Sequence, residues 1–212
     1  MPKFSAALFD LDGVIVDTES QYTLFWEKIG RQDFPSNPTF AQDIKGCTLV
    51  QIYDKHYAGN IEDQRRVTAL LNDFEATMAY PFISGAVEFV DSLREIGIKT
   101  AVVTSSNKEK MAALYKAHPD FRSHFDCVFT SEDTKRSKPY PDCYISAAEK
   151  LECEPQRCVV FEDSFNGLRA GKASGAYVVG LTTSNSAESI SKLCNMAVPD
   201  FREERLKNVF TD

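Results

Sequence analysis

The sequence predicts an α/β fold, a doubly wound parallel sheet interrupted by an inserted small α-helical domain. Three observations predict it. Five short runs are mainly apolar and most are rich in β-branched residues, the pattern of strands buried on both faces of a parallel sheet. Segments with helical periodicity alternate with them, which implies right-handed crossovers. One stretch, residues 17–80, breaks the alternation and carries helical patterns only.

The elements follow in order. Residues 5–9 (SAALF) read as the first strand, stopped by Asp10-Leu11-Asp12-Gly13. The insert holds helical patterns over residues 19–29, 49–57 and 62–78. Tyr80-Pro81 marks the return to the sheet and a candidate hinge. Residues 85–96 place Val87, Val90, Leu93 and Ile96 near helical spacing and end at Gly97, a favoured helix terminator. Strand patterns follow at 99–104 (KTAVVT), 126–130 (DCVFT), 157–161 (RCVVF) and 177–181 (YVVGL). Helices are expected between them at 108–118, at 142–151 after Pro141, and at 166–174 before Gly175. Residues 1–16 and 81–212 are therefore assigned to the sheet domain and 17–80 to the helical insert.

Composition narrows the function. The chain has 212 residues, 43% hydrophobic and 26% charged, which suffices for a core without disulfide or metal staples. A net charge of −7 argues against nucleic acid or an anionic membrane as partner. An anionic substrate would have to be drawn in by a local site. The six cysteines form no Cys-x-x-Cys pair and no zinc-like spacing with the three histidines; Cys127 and Cys158 lie in apolar runs and read as core thiols. Met1-Pro2-Lys3 leads straight into a strand pattern, and no apolar run approaches a membrane span. The expectation is a reduced, cytoplasmic monomer. No internal repeat or low-complexity tract is present.

In open α/β sheets, ligands bind beyond the carboxyl ends of the strands. The first predicted strand ends in Asp10-Leu11-Asp12-Gly13 and the second in Thr104-Ser105-Ser106. Ser137-Lys138-Pro139-Tyr140-Pro141-Asp142 follows the third, and the fourth ends in Glu162-Asp163-Ser164. Each has an ordinary structural explanation when taken singly: an acidic turn, a helix N-cap, a solvated lysine, a second cap. Together, four successive strand ends offer carboxylates, hydroxyls, an ammonium and carboxylates again. Grouped carboxylates repel one another, and a divalent cation relieves that repulsion. A set of oxygen ligands favours Mg²⁺.

These segments, FDLDGVIVDT (9–18), VVTSSN (102–107), SKPYPD (137–142) and VFEDSFNG (160–167), make the chain resemble the haloacid dehalogenase-like superfamily of phosphotransferases. The resemblance spans essentially the whole chain and is closest to the β-phosphoglucomutase-like branch, which has a Rossmann-like core and a helical cap. It implies that Asp10 is the nucleophile that forms an aspartyl-phosphate. Asp12 would be the general acid and then the base that activates water. Mg²⁺ would be held by the Asp10 carboxylate, the Asp12 backbone carbonyl and Asp163, with Glu162 in support. Thr104, Ser105 and Lys138 would bind the transferring phosphoryl group.

The cap departs from the mutase pattern at two positions. Leu49 stands where that branch has an arginine for a second phosphate, and Tyr22 stands where it has a histidine. A leucine cannot form the bidentate contact that phosphate recognition favours. Tyr22, Phe25 and Trp26 are expected to pack the cap against the core, or to wall the substrate. The expectation is thus a Mg²⁺-dependent phosphatase of a small phosphorylated metabolite, a sugar phosphate or similar, with a β-phosphoglucomutase-type mutase as the alternative. Dehalogenation needs no second aspartate, and a silent binding protein needs no intact acidic and lysine set.

Overall fold

The computed structural model describes residues 3–210. Its framework is a six-stranded, all-parallel sheet: β1 (Ala6–Phe9), β2 (Lys99–Val103), β3 (Cys127–Phe129), β4 (Cys158–Glu162), β5 (Tyr177–Leu181) and β6 (Met196–Val198). The strand order is β3-β2-β1-β4-β5-β6. β1 is therefore central, flanked by β2 on one side and β4 on the other. The chain reverses its direction of winding there, and the crevice above such a switch point is where α/β sheets bind ligands.

Residues of β1 and β4 are buried without exception, which explains their apolar runs, broken only by Glu162 at the last position of β4. Alternate side chains serve opposite faces. Ala7 and Phe9 join an aromatic-rich cluster with Phe89, Phe161 and Phe201, in which Phe9 and Phe161 stack at 4.7 Å. Ala6 and Leu8 join Tyr144, Ala147 and Leu168 on the other face. The flanking helices are α5 (Ala86–Glu95), α6 (Lys108–Ala117), α7 (Asp142–Lys150) and α8 (Phe165–Ser174), with one-turn helices α9 (Ala187–Ile190) and α10 (Lys207–Phe210) near the end.

Between β1 and α5 run four helices: α1 (Glu19–Asp33), α2 (Phe40–Asp43), α3 (Leu49–His56) and α4 (Ile61–Thr77). They close on a third apolar cluster of their own, with Trp26, Ile29, Phe40, Ile52, Val67 and Leu71. Phe25 stacks on Phe74 at 5.0 Å within this layer, so the first-helix aromatics largely pack the insert itself. Side-chain pairing of Gln21 with the Ala79 backbone ties the two ends of the insert together.

The structure adds two kinds of element to those expected from sequence. β6 has three residues and α2 four, too few to show a period; each exists through tertiary pairing, β6 by its register with β5. All six cysteines are free, and burial pushes the Cys158 thiol up to about 12. Among the described residues, no helix is long and apolar enough to cross a membrane.

Candidate active site

β1 delivers Asp10 to the carboxyl edge of the sheet, and β4 delivers Glu162 and Asp163 beside it. One carboxylate oxygen from each of the three lies within 4.8 Å of the others, the one such acidic group among the described residues. Lys138 enters from the loop before α7 through a cis Lys138–Pro139 peptide. Its ammonium donates to Asp10 Oδ1 at 2.6 Å, to Glu162 Oε1 at 2.7 Å and to the Val103 carbonyl at 3.1 Å. Burial opposes the charge on Lys138, but Asp10 and Glu162 outweigh it and hold the ammonium well above its ordinary range.

Glu162 is wholly buried and its oxygens are filled. Oε1 also accepts from the Tyr144 hydroxyl at 2.8 Å, while Oε2 accepts from the backbone N–H groups of Asp163 and Ser164 and from the Ser164 hydroxyl. Two glycines make room for this arrangement. A Cβ at Gly167 would overlap the Glu162 carboxylate, and one at Gly13, whose φ is +73°, would overlap that of Asp163.

Asp10 and Asp163 keep open oxygens. Asp10 Oδ2 and Asp163 Oδ1 accept no hydrogen bond from the described residues; Asp163 Oδ2 is taken by the Ser184 hydroxyl. Burial pushes Asp10 up to about 7 against the pull of Lys138, with Glu162 and Asp12 adding to the rise. Asp163 is raised well above the carboxylate range by burial, then by Glu162 and Asp10. Once all three are ionised, the carboxylates outnumber the ammonium and carry two uncompensated negative charges, which is why burial and mutual repulsion hold protons on Asp10 and Asp163 in the absence of a cation. The donors are all oxygens and two of those oxygens are open, which fits a hard divalent cation.

The Asp12 carboxylate lies outside this group. Thr18 donates to its Oδ1, using the hydroxyl that would otherwise cap α1, while Ser106 at 3.2 Å and Lys110 at 2.5 Å donate to Oδ2. Thr104 is buried and hydrogen-bonded to Ser106 through both the hydroxyl and the backbone of that serine. Ser105 is exposed and lines the cavity with no side-chain hydrogen bond among the described residues, whereas Ser106 bonds both Thr104 and Asp12.

A cavity of about 420 Å³ lies between the sheet edge and the helical layer. Asp10, Asp12, Thr104, Ser105, Lys138 and Asp163 form its floor, and Tyr22, Leu49, Trp26 and Glu75 face it from the insert. Tyr22 donates to Glu75 Oε1 at 2.7 Å. The insert also touches the floor's supports: Gln51, whose side chain completes a capping box with Thr48 at the start of α3, donates to the Lys138 carbonyl at 3.1 Å. Asn166 donates to the Gly46 carbonyl at 3.0 Å.

The motif residues converge as their strand-end positions imply. Lys110, Glu75, Tyr144 and Ser184 were not singled out from sequence. The one sequence signal for Lys110 is a lysine in the first turn of the helix after the hydroxyl loop.

Comparison with known proteins agrees with this construction. A family model described as haloacid dehalogenase-like hydrolase matches residues 4–175. The chain is 27% identical over 214 residues to the validoxylamine A 7′-phosphate phosphatase of Streptomyces hygroscopicus subsp. limoneus, covering 97% of this chain and 98% of that one. It is 30% identical over 177 residues to hexitol phosphatase A of Escherichia coli strain K12, covering 82% and 81%. The solved β-phosphoglucomutase from Clostridium difficile superposes with a TM-score of 0.78 at 21% identity, over 97% and 96% of the two chains, a likeness of fold. The chain belongs to the haloacid dehalogenase-like hydrolase family.

Proposed function

We propose that this protein is a magnesium-dependent phosphatase that hydrolyses a small phosphorylated metabolite, a sugar phosphate or similar, through an aspartyl-phosphate on Asp10. The observation that carries the proposal is the imbalance of charge beneath the cavity, three carboxylates against one ammonium, with open oxygens on Asp10 and Asp163. Asp10, Asp163 and the Asp12 backbone carbonyl would hold Mg²⁺, with Glu162 supporting; the ion would offset charge on the phosphoryl oxygens. The cation, together with Lys138, would account for how a protein of net charge −7 accepts an anion.

In the first step an Asp10 oxygen attacks phosphorus and the bond from phosphorus to the ester oxygen breaks. Asp12 gives its proton to that oxygen, and the alcohol departs. Asp12, now ionised, takes a proton from water as the water oxygen attacks the aspartyl-phosphate. The Asp10 carboxylate is regenerated and inorganic phosphate leaves. Lys138 and Thr104, joined by Ser105, would neutralise and orient the phosphoryl group. Residues 17–80 would act as a cap over a core made of 1–16 and 81–212, excluding water during transfer. Relatives named as phosphatases of sugar-like phosphates support the substrate class. The six free thiols suit a reducing cytoplasm, and a monomer suffices to build the site.

A mutase would need to grip a second phosphate, and Leu49 faces the cavity where the mutase pattern has its arginine. The deciding experiment is a phosphate-release screen across metabolite phosphates at fixed Mg²⁺, ranked by kcat/KM. Release that stops on chelation is expected. No turnover across the panel would defeat the reading, as would conversion of β-glucose 1-phosphate to glucose 6-phosphate without phosphate release.

A further inference from the structure

Lys110 breaks two ordinary rules at once. It is the third residue of α6, where free N–H groups make the helix end positive and disfavour a cation. The α6 N-cap, Asn107, accepts from the Lys110 backbone N–H at 2.9 Å, so the position is fixed. Lys110 is also only 4% exposed, and a buried ammonium needs a strong partner.

That partner is Asp12. Lys110 Nζ donates to Asp12 Oδ2 at 2.5 Å and sits 4.6 Å from the centre of the Tyr22 ring. Tyr22 is held in turn by its hydrogen bond to Glu75, which is itself buried and whose backbone carbonyl accepts from the Tyr80 hydroxyl at 2.8 Å. A continuous line of contacts thus runs from Asp12 through Lys110 on the core to Tyr22 and Glu75 on the insert. The neighbouring lysine of the site, Lys138, is bound to Asp10 and Glu162.

We infer that Lys110 is a positioning residue for Asp12, with the Tyr22 ring and Glu75 fixing Lys110 from the cap side. This rests on the reading of Asp12 as the group that protonates the leaving oxygen. A carboxylate rotates about a single bond, and its direction is set by its donors. Thr18 holds Oδ1, whereas Ser106 and Lys110 share Oδ2. Lys110 is the charged member of the three and forms the shorter of the two bonds to Oδ2. Its loss should therefore matter where proton delivery matters, and little where the leaving group departs unaided.

The test compares Lys110→Met and Lys110→Arg with the wild-type chain in Mg²⁺. The substrates are the best alkyl phosphate of the metabolite panel and p-nitrophenyl phosphate, whose leaving group needs little protonation. Lys110→Met should lower kcat/KM about 10- to 100-fold for the alkyl ester and less than about threefold for p-nitrophenyl phosphate. Inhibition by inorganic phosphate should stay within about twofold of wild type. Lys110→Arg should restore most of the alkyl-ester activity. Tyr22→Leu should give a smaller loss of the same selectivity and add little in the Lys110→Met background, because both act through one contact. If Lys110→Met does not fold, Tyr22→Leu carries the same comparison.

Equal losses for the two esters would overturn the inference, as would a large loss of phosphate inhibition, which would make Lys110 an anion ligand. A wild-type chain that turns over neither ester defeats the phosphatase reading itself; an active wild type with an unaffected Lys110→Met defeats only the positioning role.

Discussion

Glu162 Oε1 accepts from Lys138 Nζ at 2.7 Å in a part of the molecule where the Glu162 side chain has no solvent exposure. With Tyr144 on the same oxygen and two backbone N–H groups on the other, Glu162 anchors the lysine and the start of α8 together. Glu162→Gln keeps the size but turns an amide donor toward either the ammonium or the backbone N–H pair. Because Asp10 still holds the ammonium, the cost should fall below the roughly 3–5 kcal/mol of a buried charge left unpaired, yet exceed that of one neutral hydrogen bond. Tyr144→Phe leaves the ion pair intact and should cost about 1 kcal/mol. Urea unfolding of the two variants checks this order, and equal small losses would mean that Glu162 is not the anchor.

Asp10→Asn should abolish phosphate release while preserving the fold. An asparagine oxygen can still accept from Lys138, so the packing around the 2.6 Å contact survives. An amide oxygen cannot serve as the nucleophile that is regenerated after hydrolysis. Circular dichroism matching wild type together with measurable turnover would remove Asp10 from that role.

Gly167→Ala sets two effects against each other. In a helix interior alanine is favoured over glycine by up to about 1 kcal/mol, an upper limit for Gly167, which is the third residue of α8. Gly167 lies in α8, but its added Cβ would overlap the Glu162 carboxylate, which is held by five donors and cannot retreat. Overpacking costs about 1–3 kcal/mol or more, so the substitution should destabilise despite the helical gain. A rise in Tm would show that the carboxylate has freedom to move.

Much of this arrangement was legible in the sequence because burial left a local mark. β1 and β4 are central and covered on both faces, so their runs are apolar up to Phe9 and Phe161, and the acidic residues that follow, Asp10, Glu162 and Asp163, stand out by contrast. Lys138 was legible from its fixed place before α7. Lys110 and Glu75 were not, because their meaning is spatial: Lys110 meets a carboxylate 98 positions away, and Tyr22 meets Glu75 across 53. Ser105 and Ser106 are adjacent and chemically identical, and only the turn of the loop makes Ser106 the one that bonds Asp12 and Thr104. β6 and α2 left no periodicity because neither is long enough to complete one.

The buried carboxyls also set how metal-free stability depends on pH. Asp10 is pushed up to about 7, first by burial, and Asp163 is raised well above its usual range for the same reason. In the unfolded chain both ionise near pH 4. Between about pH 4 and 7 the folded protein therefore binds more protons than the unfolded one, and stability falls as pH rises through that window. The contribution is fully present below the unfolded value and lost once pH passes the folded one. A divalent cation binds the ionised carboxylates, so its stabilising effect should grow over the same range. Without metal, the wild-type Tm should drop relative to Asp10→Asn from pH 5 to pH 8, and millimolar Mg²⁺ should reverse that drop in the wild type far more than in Asp10→Asn. Other carboxylates titrate in both chains and cancel in the difference. Parallel Tm profiles for the two chains, with and without Mg²⁺, would mean that Asp10 neither holds its proton in the folded state nor meets the ion.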